Sequence, residues 1–207
     1  MLSDVVAEQV NRARKRHGWN RGELAKRCRK LGAPQLTEAA ITNIETGRRD
    51  ADGRRRREVT VDELVIFGRA LGVPPVLLAF PVGSQPTVEA FPGVEAPTWG
   101  AARWFTGEAP WGAWPDESGK RTAASEQDFQ DYNQGATPID LYRRHVAHYL
   151  SWAAASAEER GIQRAERPTR LGEEGTIRAI RKTMRQFGLT APDVPEELRH
   201  LDADEQL

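Results

Sequence analysis

The chain has 207 residues, 39% hydrophobic and 29% charged, room for one domain of ordinary size plus a smaller one. No run of 18 or more apolar residues exists, the N-terminus lacks the basic-then-apolar order of a signal peptide, and the one cysteine, Cys28, excludes an intrachain disulfide and suits a reducing cytoplasm. The zero net charge hides a split: residues 1–80 carry 16 Lys+Arg against 10 Asp+Glu, and residues 81–207 carry 14 against 20, so only the first part invites a polyanion.

Residues 5–17 space Val6, Val10 and Ala13 as one helical face, and Gly18 stops that helix. Asn20 and Glu23 then stand at capping-box spacing, with Trp19 and Leu24 as a hydrophobic staple. Leu24, Ala25, Cys28 and Leu31 continue the apolar face until Gly32-Ala-Pro34. Thr37 caps a third helix, with Leu36 and Ile41 as its staple pair. Ile41 and Ile44 point inward; Glu38, Ala39, Thr42, Asn43 and Thr46 are left outside. Gly47 supplies a left-handed ending. Such an outer face is short, polar and little charged, which suits contact with hydrogen-bonding edges. Thr60 and Glu63 open a fourth helix striped by Leu64, Phe67, Ala70 and Leu71. Pro74 to Phe80 forms a short, apolar fifth with proline at its start. Five short helices with this periodicity predict one small bundle.

The runs Asn20-Arg-Gly-Glu-Leu-Ala25, Leu36-Thr-Glu-Ala-Ala-Ile-Thr-Asn-Ile-Glu-Thr-Gly47 and Val61-Asp-Glu-Leu…Ala70-Leu-Gly-Val73 resemble the helix-turn-helix domain of phage-repressor (Cro/CI, XRE-type) regulators. The composition resembles actinobacterial members of that class. The resemblance spans roughly residues 4–80. It implies that helix 37–46 enters the major groove of double-stranded DNA, with Glu38, Ala39, Thr42 and Asn43 at the positions that reach bases. Asn43 would read adenine in a bidentate manner, and Glu38 would accept from a cytosine amine. Arg21 falls where a phosphate contact is usual. Arg14 and Glu45 match a pair that ties the first helix to the third. Two features depart from the family pattern. Cys28 to Leu36 adds about half a dozen residues to the turn, and Glu38 puts negative charge where a neutral amide is common.

After Gly47 come six arginines in ten positions: Arg48, Arg49, Arg54, Arg55, Arg56 and Arg57. Asp52-Gly53 is a strong two-residue turn signal between them. Two readings stand. In one, a basic loop or small hairpin beside the reading helix sets its guanidiniums on backbone phosphates. In the other, the loop is a solvated charge run with no specific partner.

Composition shifts after Phe80. Pro81-Val-Gly-Ser-Gln-Pro-Thr87 reads as a linker, and residues 85–136 are proline-rich and hold Trp99, Trp104, Trp111 and Trp114, four of the six tryptophans. One helical piece is expected over 96–106 and extended stretches near Val88 and Val94. The indoles either wall a pocket for an effector or partner, or fill a small core short of aliphatic residues. Glu117–Asn133 is polar. Thr137 and Pro138 then open a helix with Ile139, Tyr142, Val146, Tyr149, Leu150 and Ala153 on one face, stopped near Gly161. A second helix carries Ile177, Ile180, Met184 and Phe187 and ends at Gly188-Leu189. A last short one starts near Pro195 and includes Leu198 and Leu201.

The sequence lacks a Walker-type phosphate loop, Gly-x-Ser-x-Gly and His-Glu-x-x-His, so no enzyme is expected, and nothing calls for a cofactor. His145 and His148 have metal-compatible spacing but no evident third ligand, so no metal is expected. Cys28 reads as an inert, buried thiol. The expected fold is mainly α. A five-helix helix-turn-helix bundle spans residues 1–80, an irregular Pro/Gly/Trp-rich connecting segment 81–136, and a smaller C-terminal helical domain 137–207. The expected activity is that of a cytoplasmic, sequence-specific transcriptional regulator on double-stranded DNA. The resemblance also implies a homodimer on a palindromic operator. The alternative is a protein-docking adaptor that keeps the fold without binding DNA.

Overall fold

Local start and stop signals account for the first helices of the computed structural model, which describes residues 1–51, 53, 55–112, 125–158 and 170–202. Helix α1 spans Leu2–Arg16. Helix α2 spans Arg21–Lys30, and Asn20 and Glu23 close a reciprocal capping box at its start. Helix α3, Glu38–Thr46, begins where the Thr37 hydroxyl accepts from the Ala40 amide and ends at left-handed Gly47 (φ 60°). Helix α4, Val61–Leu71, carries the second capping box, Thr60 with Glu63. Helix α5 is Pro75–Ala79, with proline at its first position. The extra residues between α2 and α3 form a loop rather than a longer α2. Ala33 and Leu36 anchor that loop in the core, while Leu31, expected on the apolar face, is exposed.

Residues 1–125 make one compact unit and residues 126–207 another. The first unit is centred on Val6, Val10, Leu24, Cys28, Leu36, Ile41, Ile44, Phe67, Leu71, Leu78 and Phe80. The segment expected to be an irregular connector is in part ordered. Strand β1, Thr87–Phe91, pairs antiparallel with β2, Val94–Pro97, and helix α6 follows at Thr98–Phe105. Val88, Ala90, Ala96, Ala101 and Ala102 join the same core as the five helices. Small residues let this hairpin and helix lie close against the bundle. That is why a proline-rich stretch of low aliphatic content is structured.

In the second unit, helix α7 runs over Glu126–Glu158. Its start at Glu126 corrects the expected start at Thr137. Pro138 lies inside the helix, and Thr137 donates its hydroxyl to the Asn133 carbonyl instead of capping. Glutamine amides one turn away from carboxylates support the first turns, Gln127 to Asp131 and Gln130 to Glu126. Helix α8 spans Arg170–Gln186, and left-handed Gly188 and the Leu189 amide bonded to the Met184 carbonyl give the expected ending. A 3-10 helix, Glu196–Asp202, places Leu198 and Leu201 against Trp152 and Ile177. Leu141, Ile180 and Met184 form a second small cluster. The face of α7 that packs is therefore Leu141, His145 and Trp152, whereas Ile139, Tyr142, Val146 and Leu150, expected to be buried together, are exposed. Phe187 is exposed too. The chain is mainly helical, and no described helix is long and apolar enough to cross a membrane.

Candidate nucleic-acid interface

One buried carboxylate holds the scaffold of the proposed reading helix. The Glu45 side chain, on α3, has no exposed surface. Arg14, on α1, donates from Nε to Glu45 Oε1 at 2.6 Å and from Nη2 to Oε2 at 2.7 Å. This bidentate pair is the tie between first and third helices that the resemblance implies. Arg14 Nη1 also donates to the Trp19 carbonyl at 2.7 Å, which fixes the corner into α2. Asn11 donates to Glu45 Oε2 at 2.7 Å. Burial alone would push the Glu45 carboxyl up. The hydrogen bonds from Arg14, Arg21 and Asn11 outweigh burial and hold it below its ordinary value. Arg14 is raised in turn, chiefly by its hydrogen bond to Glu45.

The outer face of α3 is free. Glu38, Ala39 and Asn43 are exposed and Thr42 is half-buried. The Thr42 hydroxyl donates to the Glu38 carbonyl at 2.8 Å, and its oxygen accepts no hydrogen bond among the described residues. Asn43 makes no side-chain hydrogen bond among the described residues. Glu38 leans back toward the start of α2: a Cβ placed on Gly22 would stand 3.0 Å from Glu38 Oε2. Carboxylate and helix N-terminus attract each other there, and glycine leaves the room for it.

The arginines do not act alike. Arg21 donates from Nε to Glu45 Oε2 at 2.8 Å and is 35% exposed, so part of its guanidinium is committed inside. Arg49 and Arg55 form a bridge between two short arms, the Arg56 amide donates to the Arg48 carbonyl at 2.9 Å, and Gly53 turns at φ 74°. These contacts are what the structure describes of the basic loop or small hairpin expected around the Asp-Gly signal. Arg55 belongs to the fold instead of the surface. It is 4% exposed, donates to Asp4 Oδ1 at 2.9 Å, to the Ile44 carbonyl at 2.7 Å and to the Arg57 carbonyl at 3.2 Å. Its guanidinium thus caps the end of α3 and covers Gly47. Arg57 pairs with buried Glu63 of α4. Both corrections have one physical reason: a carboxylate from elsewhere in the chain meets the guanidinium. Arg49 is largely exposed and 3.4 Å from Asp4. Arg48 and Arg56 are exposed, and their side chains have no partner among the described residues. Arg54 and Asp52 lie outside the described residues, as do Trp114 and Gly161.

Residues that sequence reasoning missed are Asp4, Asn11 and Glu63. Glu63 carried a signal as a cap, whereas Asp4 and Asn11 act over long sequence separations. Phe91, Trp104 and Trp111 meet edge-on or tilted, with centroids 4.6 to 5.4 Å apart; Trp111 packs half-buried against the core, Trp104 is half-buried and Trp99 is exposed, so these indoles lie at the edge of the core rather than inside it. Cys28 is buried, and burial pushes its thiol up to about 11, which makes it unreactive. His145 bonds Arg181 and His148 bonds Glu173; no cluster of three metal-ligating side chains occurs among the described residues. No family model, curated protein or solved structure matches the chain.

Proposed function

We propose that this chain is a cytoplasmic, sequence-specific regulator of transcription that reads double-stranded DNA with the outer face of α3. The observation that carries the reading is the contrast between the two sides of that helix. Its inner side is fastened by Ile41, Ile44 and the fully covered Glu45. Its outer side keeps Asn43, Ala39 and the Thr42 oxygen unoccupied on a rigid support. An amide and a hydroxyl at i and i+1, beside a small residue, suit the donor and acceptor edges of the major groove. Arg48 and Arg56, with Arg49, follow directly and supply positive charge for phosphates. Arg55 is left out of that set, and Arg21 and Arg57, each about a third exposed and paired on one side, are at most partial members.

The test uses a duplex selected from a random pool by the purified protein. Asn43→Ala weakens that duplex by about 1–3 kcal/mol and relaxes preference at particular base pairs. Uniform weakening on every sequence would count against base reading. Replacing Arg48 and Arg56 with Ala reduces the slope of log K against log salt by about 1.8 per subunit, at about 0.9 per phosphate contact, and leaves the sequence preference intact.

A protein-docking adaptor is favoured by one specific observation: the withdrawal of Arg55 and Arg57 into ion pairs leaves fewer free cations than the arginine run promised. Salt-sensitive retention on duplex DNA separates the two. An adaptor passes through at low salt.

A further inference from the structure

Helix α6 opens with donors that no described side chain uses. Pro97 stands at its cap position, and a proline side chain has no oxygen to offer the first turn. The Thr98 amide donates to the Pro86 carbonyl at 2.9 Å. The amides that follow, those of Trp99 and Gly100, receive no side-chain cap. Thr98 itself is 2% exposed, and its buried hydroxyl has no hydrogen-bond partner among the described residues. A buried hydroxyl left unmatched carries a desolvation cost that an acceptor removes. These donors gather at the positive end of the helix dipole. A cleft of about 390 Å³ lies against the same turn, within the range of about 300–1,000 Å³ usual for small-molecule sites. Thr98 and Trp99 line one side of it, and the loop from Val82 to Pro86 lines the other. That loop is fixed in advance. The Ser84 and Gln85 amides and the Ser84 hydroxyl converge on the Pro81 carbonyl at 3.0 to 3.2 Å. No charged residue lines the cleft. Glu8, which accepts from the Gln85 amide at 3.4 Å, is itself paired with Arg12. Trp99, 59% exposed, gives the cleft an apolar side together with Val82 and Pro86.

We propose that this cleft binds a small aromatic carboxylate, the carboxylate on the Trp99 and Gly100 amides and the Thr98 hydroxyl, the ring on the Trp99 indole. Charge sets the class. The end of a helix is equivalent to about half a positive charge, which suits a monoanion shared among a few donors. A phosphate dianion would enter with no guanidinium or ammonium in the wall to meet its second charge. The indole sets the body of the ligand, since two offset rings attract each other beyond the area they bury. The site lies within the first unit, needs no contact with DNA and stands apart from the function proposed above.

Titration of the full, isotope-labelled chain with hydrocinnamate at neutral pH, followed by amide proton–nitrogen spectra, tests it. The Trp99 and Gly100 amides and the Trp99 indole N–H shift together and saturate with a dissociation constant of about 1 mM or below, within reach of a ligand of this size. Hydrocinnamyl alcohol, which keeps the ring and loses the charge, binds at least about tenfold more weakly. Thr98→Val keeps the shape of the side chain and removes the unmatched hydroxyl, so it weakens the carboxylate about tenfold without lowering the urea midpoint. Trp99→Ala, at an exposed position, weakens it about fivefold and keeps the test open where Thr98→Val disturbs the fold. Trp99 and Gly100 amides that stay unshifted at about 10 mM hydrocinnamate overturn the proposal. So does equal binding of acid and alcohol, tighter binding of inorganic phosphate at the same amides, or native-like binding by both variants.

Discussion

Each compact unit buries an arginine at the centre of a hydrogen-bonded network, and the two networks neutralise it differently. Arg14 is 6% exposed and Arg181 is 5% exposed. Arg14 faces a carboxylate with no exposed surface, and Arg21 and Asn11 donate to the same group. Arg181 faces Asp202, whose side chain is 38% exposed, and donates its remaining hydrogens to the Pro192 carbonyl and to His145 Nε2 at 3.0 Å. The first network joins α1, α2 and α3, elements that pack side by side through the core. The second fastens the segment after α8 onto the helical hairpin, and one of its members is an imidazole that burial holds below the ordinary histidine value. The first unit is thus held by permanent charges out of reach of water, the second by a partly wetted pair and a switchable imidazole. A reading surface needs the former kind of support, because a side chain displaced by about 1 Å loses its base edge.

The widest separation between the networks should come from removing each carboxylate. Glu45→Ala leaves Arg14 buried without a counter-charge and costs about 3–5 kcal/mol of the first unit's stability. Asp202→Ala leaves Arg181 with two neutral acceptors and a route to water, and the screened pair it removes is worth about 0.2–1 kcal/mol. Urea titration with pulse proteolysis and peptide mapping reads each unit separately. Equal costs would erase the contrast. A cost for Glu45→Ala that appears in the second unit would show that the networks are not independent.

How much of this was legible beforehand depended on distance along the chain. Caps and staples act over three to five residues, so Asn20 with Glu23, Thr37, Thr60 with Glu63, and Gly47 marked the helices of the bundle almost to the residue. The outer face of α3 was equally readable, because its period follows from Ile41 and Ile44. The arginine run was readable only as charge. Asp4 stands 51 positions from Arg55, and nothing local says which of six guanidiniums it will capture. The Arg14–Glu45 tie spans 31 positions and came from resemblance, not from the residues themselves. In α7 the apolar pattern itself misled. The richer stripe, Ile139, Val146 and Leu150, is the exposed one. The packed face includes His145, a polar residue acceptable there because Arg181 satisfies its nitrogen. Pro138, a common first-turn residue, pointed to a helix start. The well-formed turns before it carry the helix through and bear the lost hydrogen bond.

The smaller test of the contrast is acid. Burial, and then the nearby Arg181 guanidinium, push His145 below the ordinary histidine value, against the opposing pull of Asp202. The folded second unit therefore binds this proton less readily than the unfolded chain does. Stability from this group is complete above the unfolded value of about 6.5 and is lost as pH falls from there through the lower folded value. Protonation would also convert Nε2 from acceptor to donor, facing Arg181, and break the 3.0 Å bond. In the first unit the depressed groups are Glu45, Asp4 and Glu89, all carboxylates. Their contribution is intact above the unfolded carboxylate range of about 3.9–4.3 and is lost only as pH falls through the folded values. Between pH 7 and pH 5 the urea midpoint of the second unit should decline while that of the first stays level. His145→Gln, which keeps a neutral amide acceptor against Arg181, should flatten the decline. A parallel fall of both midpoints, or a decline in the second unit that survives His145→Gln, would place the sensitivity elsewhere and remove the imidazole from the account of why the two networks differ.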